Sequence, residues 1–205
     1  MILIKNKKRI GITNPKFKIS ELQSAIYLIS FLFLFNLCFS QNKKDIKKNG
    51  IKSIKVSTTD SKSGTTLNES FTKYDSNGNI LEEENYDNEG KLKKKDSFKY
   101  NKNDDETERI MYNPDGTIKK KILFKYDNNN KTEEITFDGD GKQTEKSEYK
   151  YNAFGERTEE VIYDENNKLK TKHIFTYDKN GMKTEKKTFD AGGNTISTKN
   201  YSYEY

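Results

Sequence analysis

A short turn motif recurs along the sequence at regular intervals, and this repeat limits the folds open to the chain. An aromatic residue followed by Asp, Asn or Glu occurs eleven times between positions 74 and 204. Short and long intervals alternate, so two copies make one unit, as from Tyr74 to Tyr100 and from Tyr100 to Tyr126; the unit from Tyr126 to Tyr151 is one residue shorter. A period of roughly 20 to 50 residues is typical of a protein built from stacked supersecondary units. The aromatic anchors are Tyr74, Tyr86, Tyr100, Tyr112, Tyr126, Phe137, Tyr151, Tyr163, Tyr177, Phe189 and Tyr203.

The residue four positions after each of the first ten anchors indicates a turn. Seven of these positions hold glycine: Gly78, Gly90, Gly116, Gly141, Gly155, Gly181 and Gly193. The other three hold Asp104, Asn130 and Asn167, which we expect to share the left-handed backbone that Asp and Asn tolerate best after glycine. Asx-x-x-Gly is typical of a hairpin turn. The sequence therefore predicts ten turns that join eleven strands.

The strands are expected to have one aromatic and one charged face, because alternate residues of a strand point the same way. We therefore predict an all-β fold, a tandem antiparallel β-hairpin meander of about 11–12 strands in a curved or spiralling single-layer sheet. Its aromatic face would be half exposed, so the sheet should curl, close on itself or pair with a partner. This face is predicted to hold Phe98, Tyr100, Ile122, Phe124, Tyr126, Tyr149, Tyr151, Phe175, Tyr177, Tyr201 and Tyr203.

Charges also alternate between segments. The shorter segments are acidic, as at residues 82–84 and 159–160, and the longer ones are basic, as at residues 93–95 and 119–121. In a meander these segments are neighbours, so opposite charges would face each other and fix the register. A solvated sheet face accounts for this pattern, and a charged binding surface is the alternative.

The first forty residues have the order of a secretory signal peptide. A basic stretch leads into an apolar run of about fifteen residues, and cleavage is expected after Ser40. This run is shorter than the roughly 20 residues that span a bilayer, although an uncleaved anchor remains the alternative. Lipid attachment at Cys38 is disfavoured because Leu37 is not a small residue. The protein is thus expected to be secreted or held at the cell envelope, with no membrane span after signal removal.

Export also explains the charge of the chain. Six of the 38 basic residues but one of the 32 acidic residues lie in residues 1–40, so the net charge of +6 falls to about +1 beyond them. We therefore expect no nucleic-acid partner.

Residues 41–64 are predicted to form a flexible leader with a degenerate first hairpin, since Asp60 and Gly64 repeat the motif spacing and residues 51–56 resemble a strand. Residues 65–205 would form the repeat domain.

No residue pattern indicates catalysis, a cofactor or a metal. His173 is the single histidine and Cys38 the single cysteine, so His173 is interpreted as an ordinary strand residue. Residues 127–130 and 138–141 resemble parts of calcium loops but lack the final acidic ligand, so turns are favoured over a weak cation site. The tyrosines are expected to pack between hairpins, with stacking on sugar rings as the alternative. A non-enzymatic protein is predicted.

The repeat resembles the YD, or Rhs, repeat family. Residues 175–181 (FTYDKNG), 149–155 (YKYNAFG), 124–127 (FKYD) and 74–79 (YDSNGN) carry the resemblance, which covers about residues 71–205. It implies β-hairpins that spiral into extracellular shells and bind carbohydrate or cell surfaces. The second glycine and the arginine that often follows the turn glycine are mostly missing, and the strands are too few to enclose a polypeptide. A weaker resemblance is to MORN-like repeats, which are commonly cytosolic.

Two functions are therefore open. The first is a secreted or cell-surface repeat protein that binds a polysaccharide or a protein partner through its extended sheet. The second is a structural or assembly module that self-associates by sheet-edge pairing or docks on a larger exported complex.

Overall fold

The fold is one antiparallel sheet preceded by a short helix. The computed structural model describes residues 43–204, and the expected signal peptide with its cleavage site after Ser40 lies outside them. The twelve strands lie in chain order, with β1 and β12 at the two edges, which confirms the predicted hairpin meander. The elements are α1 (Lys43–Lys48), β1 (Ser53–Thr59), β2 (Thr66–Tyr74), β3 (Ile80–Tyr86), β4 (Leu92–Tyr100), β5 (Glu106–Tyr112), β6 (Ile118–Asp127), β7 (Asn130–Asp138), β8 (Gln143–Tyr151), β9 (Arg157–Tyr163), β10 (Leu169–Tyr177), β11 (Lys183–Phe189) and β12 (Thr195–Asn200).

The turns are held by the Asx residue that follows each anchor. In the turn after Tyr74, the Gly78 amide donates to the Asp75 carbonyl at 3.1 Å, and the Asp75 side chain accepts the amides of Asn77 and Asn79. Such a turn needs a left-handed residue before the returning strand. All seven anchor-plus-four glycines have positive φ, and so do Asp104 and Asn167.

The turn after Tyr126 departs from this geometry. Asn128 and Asn129 have positive φ, whereas Asn130 does not and begins β7, so the left-handed conformation expected of Asn130 was wrong. Asp127 pairs directly with Asn130, which leaves two residues in the loop, as in a type I′ hairpin. This shorter loop explains why the repeat that starts at Tyr126 is one residue shorter than the others.

A β-bulge follows every hairpin turn from β2 to β12. Between β10 and β11, for example, Tyr177 pairs with Lys183 and Thr176 with Glu185, so Thr184 is the extra residue. A threonine at this position can also bond across the hairpin, as the Thr158 hydroxyl does to the Lys150 carbonyl at 3.3 Å. The bulges recur with the repeat and so form part of its register.

The segment at residues 41–64, expected to be a flexible leader with a degenerate first hairpin, contains a helix and a strand in its described part. Residues 43–48 form α1, and Ile46 is only 1% exposed. Lys43 forms an ion pair with Asp104 at 3.1 Å, and a side chain on Gly78 would come within 2.6 Å of the Lys43 carbonyl oxygen. A six-residue helix with one apolar residue has no hydrophobic periodicity, so the sequence did not reveal it. Strand β1 begins two residues later than the predicted segment and pairs with β2 across the turn at residues 60–65.

One face of the sheet, here called the charged face, carries a ladder of ion pairs. Three glutamates each lie between lysines from the two neighbouring strands, at N–O distances of 2.6 to 3.2 Å: Glu108 between Lys99 and Lys121, Glu133 between Lys125 and Lys146, and Glu159 between Lys150 and Lys172. This pattern confirms the predicted pairing of acidic with basic strands. The charges satisfy one another within the sheet, which counts against an extended charged binding surface on this face.

Candidate functional site

The opposite face, here called the aromatic face, carries a row in which rings alternate with cations. Its rings, each two residues before the anchor of a longer strand, are Phe98, Phe124, Tyr149, Phe175 and Tyr201. Arg157 lies 5.3 Å from the Tyr149 ring centre and 5.0 Å from that of Phe175. Lys131 lies between Phe124 and Tyr149 in the same way, and Lys183 between Phe175 and Tyr201. Cations at such distances are attracted to ring faces.

The cations cover the inner rings. Tyr149 is 8% exposed and Phe175 only 4%, so the expected half-exposed aromatic face is wrong at these positions. Burial raises the pKa of the Tyr149 hydroxyl, and it raises the pKa of Tyr100 to about 12. These inner rings stabilise the sheet and offer no free face on which a sugar could stack.

Each inner cation of the row has a carboxylate partner three residues away. Arg109, which lies 5.3 Å from the Phe98 ring centre, donates two hydrogen bonds to Glu106, at 2.8 and 2.9 Å. One repeat later Lys131 pairs with Glu134 at 2.6 Å, and after that Arg157 pairs with Glu160 at 3.8 Å. We call each such pair of positions a rung. Three consecutive rungs are therefore neutral.

The fourth rung breaks this rule. It consists of Lys183 and Lys186, so that a lysine stands where the two preceding rungs have glutamate. Lys186 also pairs in register with Lys199 of β12, and Lys199 lies 5.4 Å from the Tyr201 ring centre. Within residues 43–204 none of these three lysines forms an ion pair. We call Lys183, Lys186, Lys199 and Tyr201 the basic cluster.

The basic cluster is electrostatically unfavourable on its own. Like charges directly opposite each other destabilise a strand pair. The two other like-charged pairs in the described register each have a bridging lysine: Lys94 lies between Glu83 and Asp96, and Lys146 lies between Glu133 and Glu148. An anion placed between Lys183, Lys186 and Lys199 would relieve the repulsion. Residues that break the local rules of an otherwise consistent sequence are expected at functional sites.

His173 lies beside this cluster but has a structural explanation. Its Nδ1 is 3.1 Å from the Thr188 hydroxyl, and its ring is tilted against Phe175. Burial and then the charge of Lys186 lower the pKa of His173. The imidazole therefore adds little positive charge to the cluster near neutral pH.

The anchor tyrosines of the longer segments link neighbouring repeats. The hydroxyls of Tyr151, Tyr177 and Tyr203 donate to the carbonyls of Lys131, Arg157 and Lys183, each at 2.8 Å. The anchors of the shorter strands lie on the charged face by strand alternation, where Tyr163, for instance, donates to Glu148. Among the described residues, Tyr203 is the one predicted anchor whose hydroxyl forms a hydrogen bond with a residue of the basic cluster, Lys183.

Sequence reasoning missed the lysines of the cluster because it followed the anchors and turns. A comparison of the rungs at the repeat spacing would have revealed them. The first rung position holds Glu106, Lys131, Arg157 and Lys183, and the second holds Arg109, Glu134, Glu160 and Lys186. Opposite signs occur in three rungs and equal signs in the fourth.

A second surface feature is an open groove of about 760 Å³ between the turns at residues 152–156 and 178–182. Phe154 at its rim is 88% exposed. Glu156, Asp178 and Lys179 also line the groove, so both signs of charge are present. The groove offers an exposed ring without a charge preference.

Other site types find no support within the described range. Among residues 43–204 no three His, Cys, Asp or Glu side chains are grouped closely enough to hold a metal ion. Residues 127–130 and 138–141 lie in hairpin turns. The described helix is too short and too polar to cross a bilayer.

The sequence matches no described protein family and no curated protein. Solved structures with some similarity include a porin-like protein from Bacteroides uniformis ATCC 8492, at a TM-score of 0.35 and 9% identity over 67% of this chain and 54% of that one. A protein of unknown function from Bacteroides fragilis NCTC 9343 has a TM-score of 0.32 and 11% identity over 75% of this chain and 95% of that one. The Photorhabdus luminescens Tc holotoxin pore has a TM-score of 0.31 and 12% identity over 71% of this chain and 9% of that one. This chain thus spans about half of the porin-like protein, and the scores are too low to assign a shared function. The resemblance to YD repeats stays a prediction.

Proposed function

We propose that the protein is an exported, non-enzymatic repeat protein that binds an acidic polysaccharide at its basic cluster. The observation that carries this proposal is the fourth rung, where Lys186 replaces the glutamate of the two preceding rungs and faces Lys199. Three cations without described carboxylate partners leave an unbalanced positive charge at this end of the aromatic face.

The surroundings of the cluster favour a sugar polymer. Tyr201 is half-buried, and Tyr203 is 40% exposed, so ring surface remains beside the lysines of the cluster. Aromatic rings can stack on the apolar faces of sugars, while ammonium groups hold carboxylate or sulfate groups. The expected signal peptide would deliver the protein to the compartment where envelope polysaccharides lie, and the resemblance to YD repeats implies carbohydrate binding.

Calorimetry on the purified protein with polygalacturonate tests the proposal. Binding should weaken as salt is added, because exposed charges are screened. Lys186→Glu recreates the neutral rung and should weaken binding about tenfold or more, since about 1.4 kcal/mol corresponds to a factor of ten. Lys119→Glu makes the same change of charge at an exposed position of β6 and should leave binding nearly unchanged.

Two further comparisons separate the ligand classes. Tyr201→Ala should weaken polygalacturonate binding, whereas Phe154→Ala in the groove should not. Poly-glutamate offers carboxylates without sugar rings and should bind more weakly. Equal binding of poly-glutamate would identify an acidic polypeptide as the ligand, and unchanged binding by Lys186→Glu would refute the site.

A further inference from the structure

The two edge strands differ from the inner strands in charge. The sequences of β1 (SIKVSTT) and β12 (TISTKN) contain one charged residue each, whereas every inner strand contains at least two. On the charged face, the position one repeat after Lys172 holds Thr198, so β12 contributes no lysine there to the ladder of ion pairs. Natural edge strands commonly use charges to prevent pairing with other chains. These two edges are instead rich in neutral Ser and Thr.

The hydrogen-bonding groups of both edges can be assigned from the register. Tyr201 donates its amide to Thr184 of β11, and in an antiparallel strand successive residues bond to opposite sides. Thr198 and Asn200 therefore direct their backbone groups away from β11. At the other edge, Tyr74 donates to the Lys52 carbonyl, so the backbone groups of Ser57 and Thr59 point away from β2.

The repeat then fixes how the two edges would fit together. In the β10–β11 pair, Lys172 opposes Phe189, Ile174 opposes Lys187, and Phe175 opposes Lys186. Asp60 is equivalent to Asp190, because the amide of each donates a hydrogen bond to the carbonyl on the far side of its own turn. The same pairing one repeat later puts Thr198 opposite Thr59, Asn200 opposite Ser57, and Tyr201 opposite Val56. The backbone groups of the Thr198–Thr59 and Asn200–Ser57 pairs already point outward, so both pairs can form hydrogen bonds. No like charges face each other in this register.

We infer that β12 of one copy pairs with β1 of a second copy, so that the two-strand repeat continues from chain to chain. The partner is this protein itself, in a head-to-tail arrangement that leaves one free edge at each end of the assembly. Net charge close to neutral beyond residue 40 also permits such association. This inference depends on the edge backbones and does not rest on the proposed polysaccharide binding.

Sedimentation velocity on the purified protein tests the inference. The mean sedimentation coefficient should rise with protein concentration. Asn200→Pro removes an outward amide of β12, and Ser57→Pro removes one of β1, without touching a hydrogen bond inside the sheet. Each variant alone should lose all oligomers, including the dimer, and remain monomeric. A mixture of the two should form a heterodimer and nothing larger, because one free β12 and one free β1 remain.

The register has its own test in a Cys38→Ser background. Lys199 and Thr58 would be a non-hydrogen-bonded pair on the same face, so Lys199→Cys with Thr58→Cys should give disulfide-linked multimers on oxidation. Lys199→Cys with Thr59→Cys is the matched control, since residue 59 points to the other face, and it should give none. Far-ultraviolet circular dichroism would confirm that each variant keeps its sheet. A mass independent of concentration, no heterodimer in the mixture, or cross-links only in the control pair would each overturn the inference.

Discussion

The inner repeats and the last repeat of the sheet share one backbone but differ in how their charges are partnered. In the inner repeats, Arg157 has Glu160 on the aromatic face, and Glu159 has two lysines on the charged face. In the last repeat the equivalent of Glu160 is Lys186, and Glu185 lies between Thr176 and Asn200 in the register. Glu185 pairs with Lys187 of its own strand, so charge complementarity between neighbouring strands is lost on both faces at the same place.

This difference separates residues that hold the sheet together from residues that remain available. A repeat protein gains its stability from contacts between neighbouring units, and the inner units use their charged groups for this purpose. The last unit keeps the turn chemistry, as the Asp190 and Gly193 hydrogen bonds show, but not the charge pairing between strands. Its rung lysines and its outer edge are thus left without carboxylate or strand partners within the described sheet.

The largest effect should come from removing an inner ring. Phe175→Ala deletes a buried ring that contacts three cations, and large-to-small changes of this kind cost about 3 kcal/mol. Tyr201→Ala, at the half-buried end of the row, should cost only about 1 kcal/mol. Urea unfolding of both variants measures this difference. Equal losses would show that the end of the row is as tightly packed as its interior.

Converting an inner rung into the type of the last rung should have the next largest effect. Glu160→Lys leaves Arg157 without its partner and adds a like charge, which should lower the free energy of unfolding by about 1 kcal/mol. It should also create a second cationic site and strengthen polygalacturonate binding. Glu165→Lys, at an exposed turn position, is the control with the same change of charge. Equal gains in binding by both variants would mean that net charge, not the rung, attracts the polymer.

Much of the architecture could be predicted from the sequence because turns are local. Asp75 and Gly78 define their hairpin within one short turn, and repetition makes the pattern visible. The helix α1 could not be predicted, because its contacts are with turns that are distant in the sequence: Lys47 donates to Asn77, and Lys43 pairs with Asp104. The left-handed conformation predicted for Asn130 was wrong because the loop there is shorter than the others. The short interval from Tyr126 to the next anchor indicates a shorter segment but does not show that the loop is the part that is shortened.

The candidate site was hidden for a different reason. Lys183, Lys186 and Lys199 are ordinary residues in a chain with 38 basic side chains. Their significance depends on which strands are neighbours and on which face each side chain points to. The repeat spacing in the sequence shows that Lys183 and Lys186 lack the carboxylate of the earlier rungs, but only the observed register brings Lys186 opposite Lys199.

Acid should weaken the inner repeats more than the last one. Hydrogen bonds from Lys99, Lys125 and Lys150 lower the pKa values of Glu108, Glu133 and Glu159 respectively. A lowered folded-state pKa contributes stability that is present above the unfolded pKa of about 4.3 and is lost as the pH falls through the folded value. We expect a loss of about 0.5 kcal/mol for each glutamate.

Hydrogen exchange can locate this loss. Amides of β5 and β9 should lose protection between neutral and acidic pH, whereas those of β12 should change less after correction for intrinsic rates. Glu159→Gln removes one of the three groups, so its unfolding free energy should depend less steeply on pH than that of the natural protein. An unchanged pH dependence would assign the acid sensitivity to other carboxylates.

The smallest predicted effect is a gain in stability at the last repeat. Lys186→Glu places a carboxylate beside Lys183 and directly opposite Lys199, which replaces repulsion by attraction and should raise the free energy of unfolding by about 0.5 kcal/mol. Lys187→Glu, one residue away but on the charged face, removes the ion pair with Glu185 and should lower it. Urea unfolding at low salt measures both changes, and they should shrink together as salt is added. Destabilisation by Lys186→Glu would show that Lys186 serves the fold, whereas a gain accompanied by loss of polygalacturonate binding shows that the natural lysine is kept at the expense of stability, as expected of a binding residue.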